Sequence, residues 1–305
     1  MRIAVLSDTR FPTSVHYPGH GLGRSLARVA EGLATRGHSV VVYGAPESQV
    51  DGCLIVESTD ENARAEGLAL HKREFDVYLD GTHFFKLAHL TDWPIVCKSC
   101  DFESTPPRNA VYNTRLWAEK HGAPAGTVVL EGIDVACYPF YDGPREDYLA
   151  WVGTAYNCAW KRLDVVFEIA CMVKRPLKII GMNSLAIQGT PPIEITQEVH
   201  VSPQQTAYAL SRAAAVIGWL PTACFLEGAA SGTPSLGSYD NAHMIADGIT
   251  GFQRHTPEEL VAVFSHVEDI KPCTAREWVA TERSVNKMVC EFERLLERAA
   301  GGETW

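Results

Sequence analysis

Apolar residues come along this chain in short unbroken runs, separated by stretches where they recur every three or four positions. Residues 3–6, Ile-Ala-Val-Leu, form the first run. A run of this length without alternation fits a strand buried on both faces of a parallel sheet. Leu26, Val29, Ala30 and Leu33 then share one helical face, and Gly37 is placed to end that helix. Runs at 40–43, 53–56, 75–80, 94–98, 110–112 and 127–130 predict further strands. Helices are expected at 62–73 and up to Gly122.

The alternation pauses at 138–146, YPFYDGPRE, whose prolines and aromatics have the composition of a linker. It then resumes with strands at 148–153, 177–181, 193–201 and 215–220. A helix is expected at 165–172, and another is capped by Ser202 with Pro203 at its first position. Residues 257–268 and 274–300 read as two amphipathic helices. Strand–helix alternation in both halves predicts an α/β protein with two doubly wound, Rossmann-like domains. A chain of 305 residues suits two domains of about 150 each.

The densest pattern lies between Thr222 and Phe252. Thr222 is a candidate N-cap, and Phe225, Leu226, Ala229 and Ala230 recur at helical spacing behind it. Gly232 suits a left-handed C-cap, and Thr233-Pro234 stops the helix. Asp240 or Asn241 is expected to cap a second short helix closed by Asp247-Gly248. Helix N-termini offer unpaired N–H groups and partial positive charge to phosphate. Glu227, inside the first of these helices, is a carboxylate suited to sugar hydroxyls.

Composition narrows the partners. The formal charge of −10 argues against nucleic acid, whose affinity rests largely on phosphate attraction, and no basic run offsets it. No apolar stretch is long enough to span a bilayer, and the first residues lack a signal-peptide core, so a cytoplasmic protein is expected. The nine cysteines read as reduced, mostly buried thiols. Cys97 and Cys100 form a lone CxxC, too little to indicate a metal site.

In an open parallel sheet, ligands sit beyond the carboxyl ends of the strands, which singles out His83 and Asp101. Gly19, Gly21 and Gly23 precede the first helix, but their G-x-G-x-G spacing, about a dozen residues after the strand, is not a dinucleotide fingerprint. They still allow backbone amides to approach a ligand closely.

The run LEGAASGTPSLGSYDNAHMIADGITGF resembles the donor-site segment of retaining GT-B glycosyltransferases of family 4. Glu227, Gly232-Thr233-Pro234 and 247–252 (Asp-Gly-Ile-Thr-Gly-Phe) fall in the family's order without a gap. The resemblance implies a GT-B fold, two Rossmann-like domains facing a cleft. It places an acceptor-side domain at 1–142, a nucleotide-sugar domain at 143–283, and a last helix, 284–305, crossing back to the first domain.

By the same resemblance, Gly21 and Gly23 face the donor, as do Gly153, Lys161, Arg162, Gly181, Thr222, Ala223, Cys224, Phe225 and Glu227. Arg24 and Glu131 face the acceptor, and His83, Asp101 and Lys161 are the candidate catalytic residues. Three departures stand out. Gly153 is followed by Thr154 where the family has Arg, Lys161 comes two positions late, and Trp219 occupies the place of a second Glu, eight residues before Glu227. No Asp-x-Asp occurs, so no metal and no cofactor is expected. The implied activity is retaining transfer of a sugar from a nucleoside-diphosphate donor, most simply a UDP-sugar, to a hydroxyl of a small molecule or glycan. The alternatives are a sugar-nucleotide epimerase or phosphorylase, a nucleic-acid base glycosyltransferase, and a non-catalytic sugar-nucleotide-binding protein of the same fold.

Overall fold

A computed structural model describes residues 1–18, 21–70, 73–99, 108–124, 126–153, 158–181, 191–199, 201–220, 222–241 and 243–305. In chain order the elements are β1 (Arg2–Leu6), α1 (Gly21–Thr35), β2 (Ser39–Gly44), β3 (Leu54–Glu57), α2 (Glu61–Leu70), β4 (Val77–Asp80), α3 (Lys86–Leu90), β5 (Ile95–Ser99), β6 (Ala110–Tyr112) and α4 (Arg115–Lys120). There follow β7 (Leu149–Val152), α5 (Leu163–Val173), β8 (Leu177–Gly181), β9 (Ile195–Val199), α6 (Pro203–Arg212), β10 (Ala215–Ile217), α7 (Cys224–Ala230) and β11 (Ser235–Ser238). The chain ends with β12 (Gly251–Arg254), α8 (Pro257–Val263), α9 (Pro272–Glu282) and α10 (Val285–Ala300).

These elements form two compact units. One comprises Met1–Gly132 with Val285–Trp305, the other Ile133–Ser284. Each holds a parallel six-stranded sheet, in the order β3-β2-β1-β4-β5-β6 in the first and β12-β11-β10-β7-β8-β9 in the second. This is the doubly wound α/β arrangement that the apolar runs predict.

The central strands are buried on both faces because both faces are covered by helices. In the first unit Ile3 and Val5 of β1 pack with α1 and α10, while Ala4 and Leu6 face Ala65 of α2 and Leu87 of α3. Helix α10 comes close to α1 because Gly32 has no side chain; a Cβ there would lie 2.4 Å from Val289. In the second unit Leu149 and Trp151 of β7 pack with α5 and α8, and Ala150 with α6, α7 and α9.

Several expectations change. Residues 127–130 are not a strand: Val128 forms a single bridge to Tyr112, because β6 is only three residues long and ends there. The helix expected over 274–300 is two helices. Between them the Ile133 N–H takes the Arg283 carbonyl at 2.8 Å, and Ser284 bridges Ile133, so the backbone is drawn out of helical geometry. The second short helix after Asp240 is absent among the described residues. Tyr239–Asn241 is a 3-10 turn, and at the expected helix end the Asp247 carboxylate accepts the Gln253 N–H at 3.0 Å. Of the cysteines described, only Cys97 and Cys224 are buried.

The 247–252 run is a turn scaffold. Gly248 has φ +72°, the Thr250 hydroxyl accepts the Ala246 N–H at 2.8 Å, and Gly251 has φ +152°. A Cβ on Gly251 would lie 1.9 Å from the Ser235 carbonyl oxygen of β11. Gly251→Ala is therefore expected to cost about 2–3 kcal/mol, the scale of a strained backbone forced against its neighbour. At Gly248 a Cβ meets nothing within 4 Å, so Gly248→Ala costs only the strain of its φ, about 1 kcal/mol. Urea-denaturation midpoints of the two variants check the order; equal losses would contradict it.

Candidate active site

In the second unit, the carboxyl ends of three neighbouring strands collect most of the candidate donor residues. Gly153 follows β7, Gly181 ends β8, and Thr222 to Phe225 follow β10, with β7 lying between β8 and β10. Gly153 is required by packing: a Cβ there would lie 2.1 Å from the Trp151 ring. Lys161 stands in the turn before α5 and donates to the carbonyl of Val152, the last residue of β7, at 3.2 Å. Its ammonium is thereby held at a strand end. Arg162 takes a left-handed conformation, φ +54°, and its guanidinium forms an exposed pair with Asp164 at 3.1 Å.

Helix α7 starts later than its sequence suggests. Ala223 is the capping position and Thr222 contributes its carbonyl, which accepts the Phe225 N–H at 3.3 Å. Ala223 is helical in φ and ψ and offers no side-chain acceptor, so the expected Thr222 cap is not made. Cys224 and Phe225 are buried. Glu227 sits one turn in, 2% exposed, and the Tyr138 hydroxyl donates to its Oε1 at 3.2 Å.

Two arginines set the position of α7. Arg145 donates to the Gly232 carbonyl at 2.5 Å, the Thr233 hydroxyl at 2.6 Å, the Ser211 carbonyl at 2.9 Å and the Tyr141 carbonyl at 3.2 Å. Arg276 donates to the carbonyls of Ala230, Tyr138 (3.1 Å) and Val135 (2.7 Å). Cations at a helix C-terminus meet its orphan carbonyls and the negative end of its dipole. Trp219, at the position where the resemblance places a second Glu, packs its indole into the core and accepts the Ser238 hydroxyl on its carbonyl.

In the first unit, the carboxyl ends of β1 and β4 carry a cluster of charges. Asp8, fully buried, accepts from Arg10 Nε (3.0 Å) and Nη2 (2.6 Å), and His83 Nε2 lies 3.4 Å from its Oδ2. Burial alone would raise the Asp8 carboxyl, but the hydrogen bonds from His83 and Arg10 outweigh it and hold the group well below the usual carboxylate range. Asp80, also fully buried, accepts the Thr82 N–H and hydroxyl, and burial pushes it up. Arg64 reaches under the cluster and donates to the Ser7 and Tyr43 carbonyls at 2.8 and 3.1 Å; burial lowers its proton affinity.

Glu131 is 8% exposed and engaged three times. Ser25 Oγ donates to it at 2.7 Å, Arg28 Nη1 at 3.3 Å, and the buried Lys98 ammonium lies 3.9 Å away. It ties α1 to the end of β5. On α1, Gly21 is exposed, Gly23 buried and Arg24 half-buried. Asp101 lies outside the described residues. Asp8, Tyr138, Arg145 and Arg276 escape a reading by sequence. Only Asp8 carries a local signal, a carboxylate two residues past the first strand.

No family model and no curated protein matches this sequence. Among solved structures the fold is similar to that of AviGT4, a glycosyltransferase involved in avilamycin A biosynthesis, at TM-score 0.73 and 18% identity, over 100% of this chain and 99% of that one. HepE of Anabaena, in complex with UDP-glucose, is similar at TM-score 0.70 and 12% identity, over 97% and 99% of the two chains. An α-glucosyltransferase in complex with UDP is similar at TM-score 0.63 and 11% identity, over 97% and 100%. At these identities the likeness is one of fold, and the fold is GT-B.

The charge cluster has a pH consequence. Asp8 binds protons less readily folded than unfolded, so the stability it adds is fully present above the unfolded pKa of about 3.9 and is lost as the pH falls further. Asp80, pushed up by burial, works in the opposite sense and favours the fold on acidification. Asp8→Asn should therefore flatten the decline of unfolding free energy between about pH 5 and 3, measured by urea titration across that range. An unchanged slope would show that the Asp8 carboxylate is not held as described.

Proposed function

We propose that this protein is a retaining glycosyltransferase of family 4, moving a sugar from a nucleoside-diphosphate donor, most simply a UDP-sugar, to a hydroxyl acceptor. The observation that carries the reading is Glu227. It is a buried carboxylate one turn inside the helix that follows β10, in a unit whose strand β7 ends beside the Lys161 ammonium. The GT-B fold and the UDP and UDP-glucose complexes of proteins sharing it support the assignment.

In this reading the second unit takes the donor. Glu227 accepts hydrogen bonds from the ribose hydroxyls, with Tyr138 steadying the carboxylate. Gly153 and Gly181 let the nucleotide approach the strand ends. Charge builds on the diphosphate as its bond to the anomeric carbon breaks, and Lys161, aided by the amides of Thr222 to Phe225, stabilises it. Fixed charge and dipoles placed where charge develops are usually the largest catalytic contribution. The absence of any Asp-x-Asp in the sequence supports a diphosphate neutralised by protein cations instead of a bridging metal. Arg162, paired with Asp164, is a secondary contributor. The first unit supplies His83 and Arg24 to the acceptor, with Glu131 anchoring the helix that carries Arg24.

A thermal-shift screen with UDP, GDP, ADP and dTDP tests this. A nucleotide at a hundred times its Kd stabilises the native state by about 2.7 kcal/mol. The response is expected for UDP, abolished in Glu227→Ala and reduced in Lys161→Ala. A UDP response equal in wild type and both variants would contradict the site; no response to any nucleotide would contradict the function.

A further inference from the structure

The loop that follows β4 is built to expose one aromatic ring. Asp80 Oδ1 accepts the Thr82 N–H at 2.9 Å and its hydroxyl at 2.6 Å, and the Thr82 hydroxyl in turn accepts the Phe85 N–H at 3.2 Å. Phe85 is 2% exposed, packed among Tyr78, Leu87 and Ala88, yet its backbone sits at φ +47°, ψ +38°. A bulky residue in the left-handed region is strained and persists only where its surroundings over-determine it. On the other side, His83 is drawn to the buried Asp8 at 3.4 Å. Phe84 stands between these two anchored neighbours and is 72% exposed. Its two flanking residues are tied down, and its ring is left facing solvent.

Exposed apolar residues are common and need no explanation singly. Phe84 differs in its place and in what holds it there. It lies beyond the carboxyl end of a central strand, where ligands of open parallel sheets bind. It adjoins His83 in the chain, and the neighbouring β1 loop brings Arg10 and a second aromatic, Phe11, the guanidinium 5.9 Å from the ring centre. An unstrained loop could have hidden the ring or used glycine at the left-handed position.

Resting on the transferase reading above, we infer that Phe84 is the platform on which the acceptor lies, and that the acceptor presents an apolar ring face, aryl or carbohydrate, with its hydroxyl toward His83. Such faces gain on an aromatic ring by area burial and by ring–ring geometry, worth about 0.5–1.5 kcal/mol, or roughly 2- to 12-fold in affinity.

The test is 19F NMR on the full chain labelled with 4-fluorophenylalanine, the Phe84 signal being identified by its loss in Phe84→Leu. The probes are 4-nitrophenyl β-glucoside and methyl β-glucoside. A shift of the Phe84 signal with the nitrophenyl compound alone supports an aryl acceptor. A shift with both supports a carbohydrate face. In either case Phe84→Ala should weaken binding of the effective probe by about 2- to 12-fold. No movement of the Phe84 signal with either probe, or unaltered binding in Phe84→Ala, overturns the inference. The thermal response to UDP, measured on the same samples, separates this from the function itself: it should be equal in wild type and Phe84→Ala, and its absence from wild type would sink the transferase reading whatever the NMR shows.

Discussion

Two guanidinium groups hold the C-terminal end of α7, and the geometry of the candidate donor site follows from them. A seven-residue helix has too few internal hydrogen bonds to hold its own direction, and its last carbonyls need partners. Arg145 and Arg276 supply charge-assisted donors to the carbonyls of Ala230 and Gly232 and, from the same planes, to those of Val135, Tyr138 and Tyr141. The segment that enters the second unit and the helix that bears the acidic side chain are thereby one assembly. Tyr138 closes it, its carbonyl on Arg276 and its hydroxyl on Glu227. Burying Arg145 depresses its proton affinity, a sign of how far it has been taken from water. Such a group is tolerated only because each of its hydrogen bonds finds an oxygen.

The first unit solves a related problem with carboxylates. Asp8, Asp80 and Glu131 are all buried at or near strand ends, and each is met by donors: Arg10 and His83, Thr82, and Ser25 with Arg28. Asp8 stays ionised and orients an imidazole; Asp80 rigidifies a loop; Glu131 fastens a helix to a strand. Asp80 is met on Oδ1 alone, its buried Oδ2 having no hydrogen-bond partner; the bonds that are made fix the loop that carries His83 and Phe84.

Much of the architecture was legible because parallel strands buried on both faces have to be apolar without interruption. The run at 3–6 and those at 177–181 and 215–217 are such strands. Ser202 and Pro203 form the expected helix start, completed by a capping box with Gln205. Gly232 ends α7 at φ +84°, as a left-handed cap should. What was not legible depends on distant partners. No Gly or Pro marks the break at Arg283–Ser284; it is made by Ile133, far away in sequence. Thr222 has the chemistry of a cap, but the helix begins past it. Arg145 sits in a stretch that reads as linker, and Arg276 in a charged helix, so neither betrays that its guanidinium is turned inward. Glu131 is an acceptor contact by the resemblance, while its three partners become visible only in three dimensions.

The fold shared with proteins that bind UDP and UDP-glucose gives a scaffold. Whether the scaffold is used as proposed turns on one carboxylate and one pentose. The most direct measurement is a crystal structure of the chain with UDP. The account predicts both ribose hydroxyls within hydrogen-bond distance of the Glu227 carboxylate and the diphosphate beside the Lys161 ammonium. A nucleotide bound with its ribose remote from Glu227 would contradict it.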